Sequence, residues 1–536
     1  MFMIYIKKNM TYFKKILNLL SPREKKQGLM LFFLIFTMAL VDMIGVASII
    51  PFITILTNPE IVNSNFLLTY MFEISGKFGV ETVEQFNFFL GILIFVLIIS
   101  SLILRGVTQY ASIRFSLMRE FTIGKKLIEG YLHQPYSWFL DKNSSYLIKN
   151  ILSEAREVVE KTLFPFINMV AQILVIILLL GLLIIVDPIL AISVTTILSL
   201  AFMCIFIFLK NFLKDIGIER LKKNDERFLY ASEAFGAIKD VKMRNLENDY
   251  VERFSIPAKI YAKNQTISTV ISQLARYFIE GIAFGGMILL ILVMMSREDG
   301  QFLQALPIIA VYAFAGYRLM PALQQVYFSS TQLRFSMAAL DKVNNDLSGL
   351  KQFVDRDDKK IKINFKKEIS INGVGYNYPN SKIKVLKDIN LTIKKNSIVG
   401  MVGITGSGKT TLIDILLGLI TPQEGNIKVD GKLIDSSNTL SFQKIIGYVP
   451  QQIYLSDASI SSNIAFGIEK KNIKQETIEK VSKIANLHDF IINNLPKGYD
   501  TVVGERGIKL SGGQLQRIGI ARALYHNPEI IVFDEA

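Results

Sequence analysis

Residues 403–411 read GITGSGKTT and fit the phosphate-loop pattern G-x-x-x-x-G-K-[ST]. Glycines in such a loop let backbone N–H groups approach a polyphosphate, and the helix that follows adds the positive end of its dipole. Lys409 supplies a cation for the outer phosphates, and the Thr410 hydroxyl is a hard oxygen ligand for Mg²⁺. The pattern predicts a nucleotide site formed by Gly403, Thr405, Gly406, Ser407, Gly408, Lys409, Thr410 and Thr411.

Four further side chains suit the binding or hydrolysis of a nucleotide. The apolar run 530–533 ends in Asp534 and Glu535. Of these acids, Asp534 is expected to position Mg²⁺, and Glu535 to polarise an attacking water as a catalytic residue. Gln451 follows another strand-like run, and its amide can meet both Mg²⁺ and that water, which makes it the second catalytic candidate. The ring of Tyr378 offers an aromatic face on which adenine could stack.

These residues need an α/β scaffold to hold them. A buried strand at 397–402 and a helix at 412–416 are expected on either side of the phosphate loop. We place the start of this soluble domain at residue 369, so that it covers 369–536. The polar segment 341–368, rich in Asp, Lys and Asn, is expected to be the linker before it.

The composition of the whole chain indicates a membrane protein. The chain has 536 residues, which is too long for a single core. Hydrophobic residues make up 51% of it, which is more than an ordinary soluble protein contains. The net charge is +14, but the basic residues lie between apolar runs, so we expect no nucleic-acid partner. Cys204 is the only cysteine, which excludes an intrachain disulfide and a cysteine-based metal site. We expect no removable signal peptide.

Residues 1–340 are predicted to form a helical transmembrane domain. Runs of about 20 apolar residues are long enough to cross ~30 Å of hydrocarbon. Lys and Arg are abundant in the loops 112–162 and 210–274, which places both loops, both termini and the soluble domain in the cytoplasm. The six candidate spans are 28–56, 87–111, 163–186, 189–209, 275–295 and 302–327.

Both cytoplasmic loops are predicted to continue the spans as helices, because they contain few glycines and prolines. Residues 135–141 and 232–240 interrupt them, either as transverse helices that rest on the soluble domain or as solvated turns. On the outer side, the apolar segment 61–74 is too short to span the membrane. It would either touch a lipid chain or only cap the bundle.

Three arginines lie on separate predicted spans and are the candidate substrate site. Arg105, Arg276 and Arg318 could face a cavity and bind a doubly charged anion such as pyrophosphate, because guanidinium groups bind phosphate oxygens bidentately. Alternatively, Arg105 and Arg276 extend to the lipid headgroups and Glu280 neutralises Arg276. Asp42 in the first span is interpreted as a lone acid.

The combination of the phosphate loop, the sequence LSGGQ at 510–514 and the acids after a strand resembles the ATP-binding cassette (ABC) transporters. The resemblance implies an all-α six-helix transmembrane domain of the ABC exporter type, followed by an α/β P-loop NTPase nucleotide-binding domain. It also implies ATP and Mg²⁺ as cofactors and a homodimer, with a heterodimer left open. Two ATP molecules would be sandwiched between the phosphate loop of one cassette and four residues of the other, namely Ser511, Gly512, Gly513 and Gln514.

A narrower resemblance concerns the membrane domain. Residues 51–54, 276–281 and 317–321 are similar to segments of the PglK-type flippases. These move lipid-linked oligosaccharides across the bacterial inner membrane for protein glycosylation. The resemblance implies a multi-pass inner-membrane protein with a lipid-linked substrate, whose pyrophosphate is associated with arginines at the positions of Arg105, Arg276 and Arg318.

Residues after Glu535 that the family would lead us to expect are not in the sequence. The three histidines, His133, His488 and His526, all precede Glu535, so none of them can be the switch histidine that follows it in the family. We therefore expect a truncated cassette, incomplete after Asp534 and Glu535, with poor ATP hydrolysis. Two alternatives stay open at this point: an ABC exporter of another lipid, a peptide or a drug, and a non-transporting membrane subunit that binds ATP for regulation.

Overall fold

A computed structural model describes residues 14–77, 79–297, 302–350, 363–379, 381, 383–504 and 507–535. The predictions for the first 13 residues and for the middle of the linker at 351–362 lie outside the described residues. The chain forms two compact units. The first contains Met1–His133 and Lys142–Gln352, and the second contains Gln134–Asp141 and Phe353–Ala536.

The first unit is entirely helical in its described part. Its helices are α1 Pro22–Ala47, α2 Ile49–Thr57, α3 Ile61–Ser64, α4 Phe66–Gly76, α5 Val83–Leu132, α7 Ser144–Lys149, α8 Ala155–Val158, α9 Phe164–Val186, α10 Pro188–Gly236, α11 Ile238–Met243, α12 Glu247–Arg297 and α13 Phe302–Gly349. Two π-helical segments, Asn150–Glu154 and Val159–Leu163, join α7, α8 and α9 into one rod. All six predicted spans are helical, with the first divided between α1 and α2, so the predicted helical transmembrane domain is confirmed.

Local sequence sets the ends of these helices. Ser21 and Glu24 form a reciprocal capping box at the start of α1, with Pro22 in the first helical position. The first span is broken at Ser48, where α1 ends and α2 begins. Pro51 explains the break, because proline lacks the N–H of a continuous helix and its ring clashes with the carbonyl four residues earlier.

Three helical segments of the described chain are long and apolar enough to cross a membrane, judged by length and composition: Pro22–Thr57, Val83–Leu132 and Ser144–Val186. The segment Val83–Leu132 has 50 residues and is therefore about 75 Å long at a rise of ~1.5 Å per residue. The hydrocarbon core is only ~30 Å thick. A helix of this length is longer than that core is thick, in keeping with the helical extensions expected for the segments flanking the cytoplasmic loops.

A cluster of charged side chains is buried where α10 packs against the π-helical segments. Lys149, Glu154 and Arg220 are all fully buried. Nη2 of Arg220 lies 3.1 Å from Oε2 of Glu154, and Nζ of Lys149 lies 3.8 Å from its Oε1. Nδ2 of Asn224 donates a 2.8 Å hydrogen bond to the same carboxylate. Glu154 thus compensates two buried cations, together with Asp225, which contacts Nζ of Lys149, and Glu157, whose Oε1 lies 3.9 Å from Nη2 of Arg220.

The predicted outer segment 61–74 is helical, divided between α3 and α4. Val62 and Leu68 are buried against Ile55 and Phe86, whereas Phe66 is exposed. One face therefore packs on the bundle and the other remains outside it. Both interpretations made from the sequence, a lipid contact and a cap on the bundle, remain compatible with this placement.

The second unit contains two sheets. An antiparallel sheet has the order β2-β1-β3-β4, and β5 and β6 form a parallel pair in register from Ile446↔Ile530 to Val449↔Phe533. The strands are β1 Glu368–Tyr376, β2 Leu386–Lys394, β3 Glu424–Val429, β4 Lys432–Leu433, β5 Ile446–Val449 and β6 Ile530–Phe533. The α-helices are α6 Tyr136–Phe139, α14 Lys409–Leu416, α15 Thr439–Gln443, α16 Ile460–Ile464, α17 Gln475–Ile484, α18 His488–Asn494 and α19 Gly512–Leu524. The predicted sheet-containing cassette after the helical domain is confirmed.

The buried strand predicted at 397–402 is wrong. These residues are assigned to no strand, and the side chains of Ile398 and Val402 are almost fully exposed. A strand requires a ladder partner for its backbone groups. In the described part of the chain β6 pairs with β5, and no strand pairs with this segment. The apolar pattern is typical of a buried strand, but no strand among the described residues pairs with this segment to bury it.

The segment predicted to interrupt the first cytoplasmic loop belongs to the cassette unit. Gln134–Asp141 contains the four-residue helix α6 and clusters with the cassette rather than with the helices that flank it in sequence. Burial raises the pKa of Tyr136 in this segment, and the nearby charge of Asp414 raises it further. In the second loop, the chain breaks at Ala237 between α10 and α11, inside the predicted segment 232–240.

Candidate nucleotide site and membrane arginine cluster

The backbone of the phosphate loop requires glycine at two positions. Gly406 and Gly408 have φ angles of +81° and +90°, in the left-handed region that favours glycine. A Cβ on Gly408 would also lie 2.8 Å from a methyl carbon of Leu386. The loop leads directly into α14, so its N–H groups lie at a helix N-terminus that can bind an anion.

Lys409 lies over this loop. Its Nζ donates hydrogen bonds to the carbonyl oxygens of Gly403 at 2.7 Å and Ile404 at 3.2 Å. Thr410 is exposed beside it. Thr411, by contrast, is buried, and its hydroxyl lies 2.9 Å from the hydroxyl of Tyr378. The geometry therefore gives Thr410 access to a ligand and gives Thr411 a positioning contact.

Tyr378 is fixed in place at both ends of its side chain. Its ring packs edge-to-face on Tyr376, with ring centroids 5.3 Å apart and planes at 84°. Its hydroxyl is held by Thr411 at the start of α14. Such anchoring places an aromatic ring beside the phosphate loop, where it could meet the base of a bound nucleotide.

The parallel pair β5 and β6 brings the remaining candidates together at its carboxyl edge. The N–H of Asp534 donates a 3.0 Å hydrogen bond to the carbonyl of Val449, which continues the ladder past the strand ends. Nε2 of Gln451 then donates a 2.5 Å hydrogen bond to Oε2 of Glu535. Two residues that are 84 positions apart in the sequence are therefore in contact, as expected for side chains that follow adjacent parallel strands.

The sequence analysis did not identify Asp414, a buried acid in α14. Its pKa is raised from 3.8 to about 6, first because burial penalises the charged form and second because Asp534 is a nearby like charge. The hydroxyl of Tyr448 lies 3.4 Å from Oδ2 of Asp534 and can donate to it. An acid within the apolar run LIDIL at 412–416 was the available signal for this second carboxyl.

The residues present suit Mg²⁺ bound together with a nucleotide. Thr410, Gln451 and Asp534 offer a hydroxyl, an amide and a carboxylate oxygen, which are hard ligands. The described residues contain no group of three or more His, Cys, Asp or Glu side chains that could hold a metal ion. This donor set fits a Mg²⁺ that takes most of its ligands from phosphates and water.

The LSGGQ segment forms the start of α19. The Ser511 hydroxyl accepts from the N–H of Gln514 at 3.4 Å, and the Gln514 side chain accepts from the N–H of Ser511 at 2.7 Å. This is a reciprocal capping box. A Cβ built on Gly512 or Gly513 meets no atom within 4 Å, so both glycines border open space. The segment thus presents an uncovered helix N-terminus.

In the membrane domain, Asp42 of α1 is not a lone acid, and this interpretation was wrong. Its Oδ2 lies 2.5 Å from Nη2 of Arg105 on α5, and its Oδ1 lies 3.9 Å from Nη1 of Arg318 on α13. The Ser101 hydroxyl donates a further hydrogen bond to Oδ1. The structure therefore brings two of the three predicted arginines to one buried carboxylate.

Arg276 belongs to a different pair. Its Nε lies 2.6 Å from Oε1 of Glu280, one turn along α12, and Nε2 of Gln324 on α13 donates to the same oxygen at 3.1 Å. The sequence had raised this neutralisation as one of two possibilities for Arg276. The contact of Arg105 and Arg318 with Asp42 was not foreseen, because nothing in residue spacing shows which faces of separate helices meet.

Two family models match the chain. The model of the ABC transporter transmembrane region matches residues 60–322, and the ABC transporter model matches residues 386–536. The two matches fall in the helical domain and in the cassette, respectively. Together they account for most of both units.

Curated relatives are similar over part of their length. A protein of Staphylococcus aureus with the provisional name multidrug export ATP-binding/permease protein is 44% identical over 168 residues, which is 31% of this chain and 28% of that protein. The ATP-dependent lipid A-core flippase of Syntrophus aciditrophicus is 38% identical over 200 residues, 37% of this chain and 32% of that protein. The chain thus matches about a third or less of the length of these relatives.

A solved structure of a bacterial Atm1-family ABC exporter with ATP bound has a similar fold. The TM-score is 0.72 at 19% identity, and the match covers 93% of this chain and 84% of that one. At this identity the likeness concerns the fold alone. From the two family models and the site geometry, the chain belongs to the ABC transporters, with a transmembrane region followed by an ATP-binding cassette.

Proposed function

We propose that the chain is one half of a dimeric ABC transporter that hydrolyses ATP to move a lipid-linked, pyrophosphate-bearing oligosaccharide across the bacterial inner membrane. The contact between Gln451 and Glu535 supports the ATPase part of the proposal. The cluster of Arg105 and Arg318 supports an anionic cargo. The similarity to PglK-type flippases at 276–281 and 317–321 supports the lipid-linked oligosaccharide.

In the ATPase step, the phosphate loop binds the polyphosphate and Lys409 turns from its loop carbonyls toward the outer phosphate. Glu535 accepts a hydrogen bond from the attacking water, and Gln451 holds that carboxylate and orients the water. Mg²⁺, when bound, would neutralise phosphate charge beside Thr410, Gln451 and Asp534. As the water oxygen bonds to the outer phosphorus, the bond from that phosphorus to the bridging oxygen breaks, Glu535 takes the proton of the water, and ADP and inorganic phosphate leave.

Dimerisation would complete each nucleotide site. The uncovered N-terminus at Ser511–Gln514 offers N–H groups and two glycines with no Cβ, which suits close approach to the phosphates held by a partner cassette. A single chain has one phosphate loop and one such segment. Two identical copies would therefore form two sites, with the cassettes and both termini in the cytoplasm.

Helix length would couple the cassettes to the cargo path. The helices Val83–Leu132 and Pro188–Gly236 have 50 and 49 residues, so each continues far beyond the hydrocarbon. Closure of two cassettes on ATP would be transmitted along these rods and would open the bundle to the other side of the membrane. Hydrolysis of ATP would let the two cassettes separate and return the bundle to its starting conformation.

The test of the cargo uses the full chain in proteoliposomes. Replacement of Arg105, Arg276 and Arg318 by Ala should abolish flipping of a fluorescent polyprenyl-diphosphate oligosaccharide while basal ATP hydrolysis continues. Arg156→Ala is the matched control, since Arg156 forms an exposed pair with Glu160. Flipping that survives all three changes would refute the cargo assignment.

A second candidate is an ABC exporter of another lipid, a peptide or a drug. It is favoured by the observation that Asp42 and Glu280 already compensate part of the arginine charge. The names of the relatives in S. aureus and S. aciditrophicus are in keeping with this broader class. ATP hydrolysis that responds to other amphiphiles, but not to the diphosphate lipid, would establish it.

A further inference from the structure

The cluster of Asp42, Arg105 and Arg318 is unequal in charge and in exposure. The Asp42 side chain is 0% exposed, whereas the side chains of Arg105 and Arg318 are 40% and 15% exposed. One carboxylate faces two guanidinium groups, which leaves one positive charge in excess. The anion is therefore enclosed and the cations reach outward from it.

Both oxygens of Asp42 are engaged, but the arginines have capacity left. Oδ2 accepts from Arg105 and Oδ1 accepts from Ser101. Arg318 lies 3.9 Å from Oδ1, beyond hydrogen-bond distance. Each guanidinium carries five N–H donors in a fork that matches carboxylate and phosphate equally well. Asp42 and an incoming phosphate would therefore compete for the same groups.

The pair of Arg276 and Glu280 is much more exposed to solvent than the cluster around Asp42. Arg276 is 62% exposed and bonded along its own helix. Exposed pairs of this kind are worth little, because water screens them. A buried carboxylate at 0% exposure is screened much less, so its charge acts more strongly on ligands of the neighbouring arginines.

We propose that Asp42 determines the headgroup selectivity of the arginine cluster by competing with the cargo for Arg105 and Arg318. This inference rests on the proposed function and specifies the chemistry of its cargo site. A headgroup with one negative charge can neutralise the single positive charge in excess and needs only one guanidinium group, most readily that of Arg318, which is not hydrogen-bonded to Asp42. A diphosphate brings more charge and more oxygens, so it can engage both guanidinium groups while Asp42 stays in place.

The experiment measures binding of two probes with the same tail to the full chain in phosphatidylcholine nanodiscs. Farnesyl diphosphate carries a diphosphate, and farnesyl methyl phosphate carries a single charge. The wild-type protein should prefer the diphosphate. In Asp42→Asn, affinity for both probes should rise, and the preference for the diphosphate should grow on the order of tenfold, since the lost carboxylate repels the more highly charged headgroup more strongly. Glu160→Gln, an acid paired with an exposed arginine, should leave the ratio unchanged.

Two outcomes separate this inference from the proposed function. If the wild-type protein prefers the diphosphate and Asp42→Asn keeps the same ratio, the role of Asp42 is refuted and the cargo proposal stands. If the wild-type protein binds neither probe above empty nanodiscs, the anionic-lipid cargo fails and the inference with it.

Ser101→Ala provides a second variant should Asp42→Asn fail to fold. This change keeps the carboxylate and removes the hydroxyl that holds Oδ1. Without that hydroxyl, Oδ1 can approach Arg318 more closely, so the ratio should shift in the opposite direction and by a smaller factor. A ratio identical to that of the wild-type protein in a folded Ser101→Ala would also contradict the inference.

Discussion

The side-chain amide of Gln451 donates a 2.5 Å hydrogen bond to the carboxylate of Glu535. Each residue follows the end of one strand of the parallel pair β5 and β6. The backbone bond from Asp534 to Val449 fixes the register that brings them together. The amide therefore orients a carboxylate that is otherwise exposed.

Glu535→Gln is expected to retain ATP binding and to lose hydrolysis by about 10²- to 10⁴-fold, because a neutral amide cannot accept the proton of the attacking water. The measurement is phosphate release by the full chain in nanodiscs, with ATP binding followed in parallel. Glu529→Gln is the matched control, since Glu529 is exposed and pairs with Lys395 at 3.8 Å. Wild-type turnover in Glu535→Gln would exclude Glu535 as the base.

Gly408→Ala is expected to destabilise the phosphate loop by about 1–3 kcal/mol and to weaken ATP binding. The φ angle of +90° strains any residue with a Cβ, and that Cβ would lie 2.8 Å from Leu386. Thermal unfolding and nucleotide affinity are the measurements. Gly400→Ala should be neutral, since a Cβ there meets no atom within 4 Å. Equal effects of the two changes would contradict the backbone explanation.

Glu154→Gln is expected to cost about 3–5 kcal/mol, because it leaves Lys149 and Arg220 buried with less compensating charge. The readout is the thermal unfolding midpoint of the protein in detergent. The exposed pair of Arg156 and Glu160 lies on the same rod, so Glu160→Gln should cost less than about 1 kcal/mol. A stability for Glu154→Gln equal to that of Glu160→Gln would contradict this role of Glu154 and would leave Asp225 and Glu157 as the compensating acids.

Asp414→Asn is expected to stabilise the cassette at high pH and not at low pH. The pKa of Asp414 is about 6 in the folded protein against 3.8 for a carboxyl exposed to water, as in the unfolded chain, so folding favours its protonated form. That contribution is fully present below pH 3.8 and is lost as the pH rises through 6. The expected difference in unfolding free energy between pH 5 and pH 8 is on the order of 1–3 kcal/mol.

The measurement follows thermal unfolding of the wild-type protein and of Asp414→Asn from pH 5 to pH 8, without nucleotide or Mg²⁺. The midpoint of the variant relative to the wild-type protein should increase with pH. A difference that stays constant over this range would show that Asp414 titrates in its ordinary range.

Much of the cassette could be predicted from sequence because its signals are local. The helix after the phosphate loop, the two strands before Gln451 and Asp534 and the cap at Ser511 each depend on residues within a few positions. The strand expected at 397–402 failed because burial of a strand depends on a partner elsewhere in the chain. Asp414 was missed for a related reason, since its pKa reflects burial and the distant Asp534.

In the membrane domain, too, features that depend on nearby residues could be predicted, whereas contacts between separate helices could not. The lengths of the apolar runs predicted the helices, and Pro51 accounts for the break at Ser48. The pair of Arg276 and Glu280 could be anticipated, because residues four apart share a helix face. The contact of Asp42 with Arg105 and Arg318 involves three helices, and helix rotation about its own axis is not encoded in hydropathy.

The two π-helical segments, Asn150–Glu154 and Val159–Leu163, have a consequence for length variation in this protein. A π turn holds one residue more than an α turn, so loss of one residue there would restore ordinary winding and leave both flanking faces in phase. Loss of one residue from Phe164–Val186 would instead rotate every following side chain by about 100°. A deletion of one residue should therefore preserve the helix packing when it falls in either π-helical segment, and should disrupt that packing when it falls in Phe164–Val186.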